Sequence, residues 1–117
     1  MKPLVLAELL RGYRLPFGTE AELQAAVARV LDEIGIEHSR EFRFSPRDRI
    51  DFLAANGIGI ECKIDGSPSQ VLGQLLRYAE RDEVQALILV TSRHTHRMKM
   101  TKLNGKPFVI VWIGGTL

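Results

Sequence analysis

Acidic and basic side chains recur at short spacings in the middle of the chain, where they could act on a phosphodiester. Glu61 and Lys63 are two positions apart on a segment, 58–65, whose alternation of apolar and polar residues predicts a β-strand. They would therefore project from one face of that strand, about 7 Å apart along the backbone. Asp51 lies ten positions before Glu61, on a second predicted strand, 49–55, and could reach the same face.

Oxygen atoms of these residues would suit a magnesium ion. If the two strands pair so that Asp51 lies beside Glu61, two carboxylates and the backbone carbonyl of Cys62 form an oxygen-lined pocket for Mg²⁺, for which Mn²⁺ can substitute. Such a metal generates hydroxide and neutralises phosphate charge, while Lys63 can orient the attacking water or stabilise the transition state. The set predicts metal-dependent phosphodiester hydrolysis.

The register between the two strands decides whether this pocket exists. A two-residue turn of Asn56 and Gly57 would pair Asp51 with Cys62 and place the two carboxylates on opposite faces. A three-residue loop that adds Ala55, a five-residue loop centred on it, or a bulge would pair Asp51 with Glu61. In the tight register Asp48 would share the face, but roughly 13 Å from Glu61, too far for one metal. We therefore predict the longer register with Asp51 as the ligand.

The surrounding elements predict an α/β fold. Thr19 and Glu22 form a capping box before apolar residues at helical spacing, which predicts a helix over 20–34. Ser67 and Pro68 begin a second amphipathic helix that ends near Arg81. Residues 84–91 are apolar nearly throughout, as in a strand that pairs parallel after a βαβ crossover. A short helix over 3–12 and strands over 41–44 and 108–113 complete a mixed central β-sheet flanked by helices.

This arrangement resembles the restriction-endonuclease-like, or PD-(D/E)XK, nuclease superfamily. Asp51, nine residues, and Glu61-Cys62-Lys63 match its D-xn-(D/E)-x-K signature, although Ile50 replaces the proline. The resemblance implies the αβββαβ core over residues 20–91. It also implies supporting roles for three residues. Glu22 matches the acidic residue on the family's first core helix, and Gln74 and Tyr78 match a Q-x3-Y motif on the helix after the E-x-K strand.

Length and composition limit the classes of protein to which the chain could belong. The chain has 117 residues, 45% of them hydrophobic, which fits one folded domain: an extension over 1–18, a catalytic core over 19–91 and a final segment over 92–117. No apolar run reaches the roughly 18 residues of a membrane helix. With one cysteine there is no intrachain disulfide, and we expect a cytoplasmic protein.

Positive charge is concentrated after residue 91. The net charge of the chain is only +2, but the stretch 92–106 contains five cations and no acid. If it emerges at the edge of the sheet near Glu61, it would hold a phosphate backbone; otherwise it is a solvated loop. The predicted nucleic-acid contacts are Arg93, Arg97, Lys99, Lys102 and Lys106.

Most candidate residues also have a structural explanation. Glu22 could serve only as a helix cap, and Gln74 and Tyr78 could face water as a polar stripe. Asp48 could pair with Arg40 or Arg43, Asp65 could begin a turn, and Cys62 is expected in the core. His94 and His96 are interpreted as loop residues or phosphate contacts rather than metal ligands.

Three functional hypotheses remain open. The first is a DNA nuclease, whose lack of a recognition domain is similar to that of Holliday-junction resolvases and phage-type recombination or repair nucleases. The second is a nucleic-acid-binding module that has lost catalysis. The third is an unrelated α/β domain in which E-x-K is a solvated strand face. A homodimer through the apolar segment 3–10 would suit symmetric cleavage of two strands.

Overall fold

The structure is a computed structural model that describes residues 1–114. This part of the chain contains three helices and six strands. The last three residues of the predicted domain, 115–117, lie outside the described residues. In chain order the elements are α1 (Pro3–Arg11), α2 (Glu20–Glu33), β1 (His38–Arg43), β2 (Arg49–Ala54), β3 (Ile58–Lys63), α3 (Pro68–Ala79), β4 (Ala86–Thr91), β5 (Lys102–Leu103) and β6 (Lys106–Trp112). The predicted elements are all present, with ends displaced by a few residues, and the two-residue strand β5 was not predicted.

The strands form one mixed sheet in the order β1-β2-β3-β4-β6-β5. Strands β1, β2 and β3 are joined as an antiparallel meander. The helix α3 then crosses over to β4, which pairs parallel to β3 as predicted, and β6 pairs parallel to β4. The carboxyl ends of β3, β4 and β6 therefore lie side by side at the same end of their strands. We call this border of the sheet the carboxyl edge.

Each face of the sheet is covered by a separate apolar layer. Helices α1 and α2 pack on one face, where they bury residues such as Leu6, Leu23 and Val27 against Phe52 and Ile60. Helix α3 packs on the other face, where its buried residues contact β2, β4 and β6. This two-sided burial explains why β4 is apolar throughout.

Side-chain caps fix where the two core helices begin. The Thr19 hydroxyl accepts a hydrogen bond from the Glu22 N–H at 3.0 Å, which starts α2 as predicted. The predicted capping box is only half formed, because the Glu22 carboxylate accepts the Gly18 N–H instead of the Thr19 N–H. At α3, Ser67 and Gln70 form a reciprocal capping box, and Pro68 occupies the first turn. The end of α3 at Ala79 is two residues earlier than predicted.

The connection between β2 and β3 is the longer one. Ala55–Gly57 forms a single 3₁₀ turn in which Asn56 and Gly57 have positive φ angles of 64° and 73°. As a result Phe52 pairs with Ile60, and just beyond this pair the Asp51 N–H contacts the Glu61 side chain. The prediction of the longer register is confirmed, and of its three alternatives the three-residue loop is the one observed.

One feature of β2 departs from a regular strand. Ile50, Phe52 and Ala54 have the spacing of residues on one face of a strand, but Ile50 lies in the α3 layer and Phe52 in the α1–α2 layer. The facing changes at Asp51, and on the neighbouring strand Glu41 has a φ of 51°. An irregular residue pair therefore interrupts β1 and β2 at the level of the candidate site.

No helix within residues 1–114 is long and apolar enough to cross a membrane. On α1, Leu6, Ala7 and Leu10 are buried, whereas Leu4 and Val5 are exposed. Homodimer formation through this segment stays a prediction.

Candidate active site

Asp51 and Glu61 are joined by reciprocal contacts between β2 and β3. The Asp51 N–H donates to Glu61 Oε1 at 3.0 Å, and the Cys62 N–H donates to Asp51 Oδ2 at 2.8 Å. Because the N–H and C=O of one strand residue point to the same side, the Cys62 carbonyl is directed at the same gap between the strands. The structure thus brings together the three groups predicted to bind a metal.

Lys63 is the cation of this group. Its Nζ lies 3.5 Å from Glu61 Oε2, and its side chain is only partly exposed. The Glu61 side chain is 3% exposed, so the carboxylate is almost entirely removed from water. Asp51, Glu61 and Lys63 therefore form one contiguous cluster at the carboxyl edge.

The two carboxyl groups are poorly compensated as anions. Burial, and then the negative charge of Asp51, raise the pKa of Glu61 to about 8, against the opposing effect of Lys63. Burial also raises the pKa of Asp51, although the Cys62 N–H and Lys63 oppose the shift. The metal-free site therefore favours retention of a proton near neutral pH.

Two residues of α2 complete this cluster, and the sequence analysis missed both. Gln24 Nε2 donates to Asp51 Oδ1 at 3.1 Å. Burial raises the pKa of Glu20, which interacts with the charges of Lys63 and Asp51 and with the backbone of Ile64. The available signal was spacing: Glu20 and Gln24 extend the buried helical line of α2 that continues through Val27 and Leu31.

Glu22 is not brought to the carboxylate pair. Its Oε1 accepts the Gly18 N–H at 2.7 Å, and its side chain lines a separate groove. Residues two apart on a helix face different directions, so Glu22 points away from the side that presents Glu20 and Gln24. The acidic residue that α2 places near the pair is therefore Glu20, which corrects the predicted assignment.

Gln74 and Tyr78 are positioned by α3 against β2. Tyr78 is 1% exposed, so the alternative in which it faces water is wrong. Its hydroxyl donates to the Arg49 carbonyl and accepts from Gln74 Nε2, both at 2.6 Å. Burial raises the pKa of Tyr78, and the Glu61 charge adds to the shift. The pair therefore fixes the backbone two residues before Asp51, and contact with substrate stays a prediction.

Asp48 is held by Arg77 of α3 and by Arg81, just after α3, rather than by β1. Arg77 Nε and Arg81 Nη2 donate to its two carboxylate oxygens at 3.1 and 3.0 Å. These arginines lower the pKa of Asp48. The expected partners Arg40 and Arg43 were wrong, and Asp48 anchors the β1–β2 turn to α3.

The remaining single candidates are structural. Cys62 is fully buried in the α1–α2 layer, as predicted, and burial raises the pKa of its thiol. His96 is also fully buried, which corrects its interpretation as a loop or phosphate contact. Its Nδ1 lies 2.7 Å from Thr91 Oγ1 and its Nε2 lies 2.7 Å from the Gly66 carbonyl.

The five cations after β4 do not share one edge of the sheet. Arg93 Nη1 lies 3.3 Å from Asp65 Oδ1, and Arg97 stacks over Trp112, so both lie near the carboxyl edge. Lys106 begins β6 and donates to the Arg81 carbonyl, about 20 Å along the strand from Trp112. Lys102 pairs opposite Pro107 at that same far end. The expectation of a single basic edge is therefore wrong for Lys102 and Lys106. Lys99 is exposed on the intervening loop.

The donor set fits a magnesium ion that retains water ligands. Within residues 1–114 no group of three or more His, Cys, Asp or Glu side chains is arranged to enclose a metal. However, Mg²⁺ in phosphoryl-transfer sites commonly uses one or two carboxylates and completes its shell with water and phosphate oxygens. Asp51, Glu61 and the Cys62 carbonyl are oxygen donors of the kind that such a partial shell requires.

Comparisons with known proteins give no match: no family model, curated protein or solved structure matches this chain. The fold and the site geometry therefore carry the functional argument.

Proposed function

We propose that this protein is a metal-dependent nuclease with a restriction-endonuclease-like core, acting on DNA. The order of α2, the β-meander, α3 and β4 agrees with the αβββαβ core that the sequence motif implies. The motif residues Asp51, Glu61 and Lys63, from two strands, meet in one cluster. An unrelated α/β domain with a solvated E-x-K face would expose Glu61, which is instead buried.

The observation that carries the proposal is the charge imbalance of the buried pair. Lys63 is the cation that contacts the pair, Arg49 has only a smaller effect on Asp51, and the pKa values of both carboxyl groups are still raised. Buried structural carboxylates are normally neutralised by partners within the protein. A divalent cation bound between Asp51 and Glu61 would supply the missing positive charge.

Each residue then has a chemical role. Asp51, Glu61 and the Cys62 carbonyl would hold the metal, and Gln24 orients the Asp51 carboxylate. A bound Mg²⁺ would lower the pKa of water and neutralise phosphate charge. Lys63 would orient the attacking water or stabilise the charge that develops on the phosphate. Glu20, which interacts with the charges of Lys63 and Asp51, would add a third carboxylate beside them.

Cleavage of a DNA panel tests the proposal. Duplex, flap and four-way-junction DNAs of equal length are incubated with the protein in Mg²⁺, Mn²⁺ or excess EDTA. We expect cleavage of at least one substrate with either metal and none in EDTA. Glu61→Gln should reduce the rate by more than about 100-fold, because it removes a metal ligand. Glu33→Gln, on the exposed end of α2, is the matched control and should cleave at the parental rate.

Calcium separates binding from chemistry. Ca²⁺ has a larger and looser coordination shell and positions water poorly, so it should support DNA binding with little cleavage. Cleavage that persists in EDTA, or in Glu61→Gln, would refute the proposed site. DNA binding without cleavage under every metal would instead favour the catalytically silent module.

A further inference from the structure

A groove of about 810 Å³ lies between the α1–α2 connection and the end of β6. Its walls include three partly buried aromatic rings, Tyr13, Phe17 and Trp112. Trp112 Nε1 donates to the Ser92 carbonyl at 3.3 Å, which fixes the orientation of the indole ring. The groove therefore offers preformed aromatic surfaces rather than mobile surface side chains.

Arginines surround these rings. Arg11 and Arg14 line the groove, and the Arg97 guanidinium lies 4.5 Å from the centre of the Trp112 ring. Arg11 Nη2 donates to the Ile110 carbonyl, so this side chain is held against β6. Glu22 is the one acid among the residues that line the groove. Arg11 Nη1 also pairs with Glu8, which leaves Arg14, and Arg97 beside the groove, opposite Glu22. This remaining excess of positive charge favours a negatively charged occupant.

The groove opens close to the carboxylate cluster. Lys63 pairs with Thr91, and Thr91 pairs with Trp112, so the three residues lie side by side across neighbouring strands at the carboxyl edge. Two strand spacings separate Lys63 from Trp112 along this row, about 9–10 Å. One ligand could therefore contact both places.

From this juxtaposition we propose that the groove binds an unpaired, single-stranded segment of the nucleic acid next to the phosphate that is cleaved. In a duplex the bases are already stacked and paired, so their faces cannot pack against Tyr13, Phe17 or Trp112. Aromatic side chains combined with arginines are the usual means of binding single strands without reading sequence. This inference rests on the proposed nuclease function and names its substrate class as DNA with a single-stranded arm.

Trp112 is the only tryptophan in the chain, so its fluorescence reports directly on the groove. The probe is a twelve-nucleotide oligothymidylate, titrated in EDTA so that no cleavage occurs. We expect it to quench the fluorescence in a saturable manner, whereas a blunt duplex of twelve base pairs should give little quenching at the same concentration. Equal quenching by both, or by neither, would overturn the inference.

Substitutions identify the contacts. Tyr13→Leu should weaken oligothymidylate binding roughly tenfold because it removes one stacking surface, and Tyr13→Phe should retain binding. Arg14→Ala should weaken binding and lower its salt dependence, whereas Arg29→Ala on the exposed side of α2 is the matched control. A Tyr13→Phe protein as weak as Tyr13→Leu would show that the hydroxyl, not the ring, makes the contact and would contradict stacking.

The same titration distinguishes the two proposals. Glu61→Gln should abolish cleavage but leave quenching unchanged. If the parental protein shows quenching but cleaves no DNA, the groove would still be assigned as a single-strand site and the nuclease function would be refuted. Metal-dependent cleavage without quenching would preserve the nuclease and refute the groove.

Glu22 allows a test of whether negative charge in the groove opposes binding. Because its carboxylate lies in the groove wall, Glu22→Gln should tighten oligothymidylate binding by about two- to threefold, while the glutamine oxygen can still accept the Gly18 N–H. Weaker binding would contradict the proposed groove.

Discussion

Asp48 and Asp51 lie three residues apart on the same segment, yet their environments are opposite. Asp48 is contacted by two arginines, which lower its pKa. Asp51 lies beside a second carboxylate, Glu61, and burial raises its pKa. The protein itself neutralises the first aspartate and leaves the second without sufficient positive charge.

Under the proposed function, this difference would separate a structural carboxylate from a metal ligand. A residue that only stabilises the fold gains from a complete set of partners, as Asp48 has. A metal ligand would gain from neutral donors that hold it in place without neutralising it, as Gln24 and the Cys62 N–H do for Asp51. Perturbed pairs of this kind mark candidate functional sites.

The largest expected effect is on cleavage. Asp51→Asn should lower the rate of DNA cleavage in Mg²⁺ by more than about 100-fold, since it weakens a metal ligand. The matched change Asp48→Asn should leave the rate per folded molecule unchanged, because Asp48 contacts only arginines of α3 and the turn. Similar losses in both variants would erase the distinction between the two aspartates.

The free energy of unfolding should fall more in Asp48→Asn than in Asp51→Asn. Asp48→Asn should reduce the free energy of unfolding by about 1–2 kcal/mol, because it weakens hydrogen bonds to two charged donors. Asp51→Asn should leave the stability of the metal-free protein unchanged or higher, since it removes a buried, poorly compensated charge. Urea unfolding in EDTA measures both.

The free energy of unfolding should decrease at both ends of the pH range, at acidic pH because of Asp48 and towards alkaline pH because of Glu61. The lowered pKa of Asp48 contributes stability above its ordinary value of 3.8, and this contribution is lost as the pH falls through its folded value. The pKa of Glu61 rises from 4.5 to about 8, so the metal-free fold loses stability as the pH increases across that interval. The loss should exceed about 1 kcal/mol, and unfolding of Glu61→Gln should lack it. An unchanged decrease towards alkaline pH in that variant would contradict the assignment.

Tyr78 allows a finer comparison because its hydroxyl holds the Arg49 carbonyl, between the two aspartates. Tyr78→Phe should lower the free energy of unfolding by about 1–2 kcal/mol, since it leaves a buried carbonyl without this donor. If the backbone there positions Asp51, Mg²⁺ affinity should also fall by a few-fold. A loss of stability with unaltered Mg²⁺ affinity would show that Tyr78 stabilises the fold but does not position Asp51.

The smallest expected effect concerns salt. Replacing Arg97 and Lys99 with alanine should flatten the log–log dependence of DNA affinity on salt by roughly one to two units, because each phosphate contact contributes about −0.9. Metal binding and sequence preference should not change. An identical slope before and after would assign these residues to a solvated loop, and Arg29→Ala controls for net charge.

Local signals in the sequence were sufficient for much of the fold. The caps at Thr19 and Ser67 predicted where α2 and α3 begin, and the alternation of 58–64 predicted β3. The requirement that Asp51 reach Glu61 selected the correct turn length. These features depend on neighbours within a few residues or on one pairing.

Contacts between distant segments escaped the sequence analysis. The burial of His96 depends on the Gly66 carbonyl, 30 positions away. The approach of Gln24 to Asp51 spans 27 positions. The change of facing at Asp51 accompanies a positive φ at Glu41, which is uncommon for glutamate and has no signature in composition or periodicity. Such features arise only when the sheet is assembled.

The turn at Ala55–Gly57 connects β2 and β3 at the end of the sheet opposite the carboxylates. A Cβ atom on Gly57 would lie 2.7 Å from the Glu83 carbonyl, so the turn is also held tightly by the segment before β4. Deleting one of its three residues would leave every proposed ligand present but would turn Asp51 and Glu61 to opposite faces. During divergence of such a protein, the length of this remote turn would be as strictly constrained as the identity of the reactive groups. Its composition could change at Ala55, and at Asn56 among residues that accept a positive φ, but not at Gly57, where a Cβ would meet the Glu83 carbonyl.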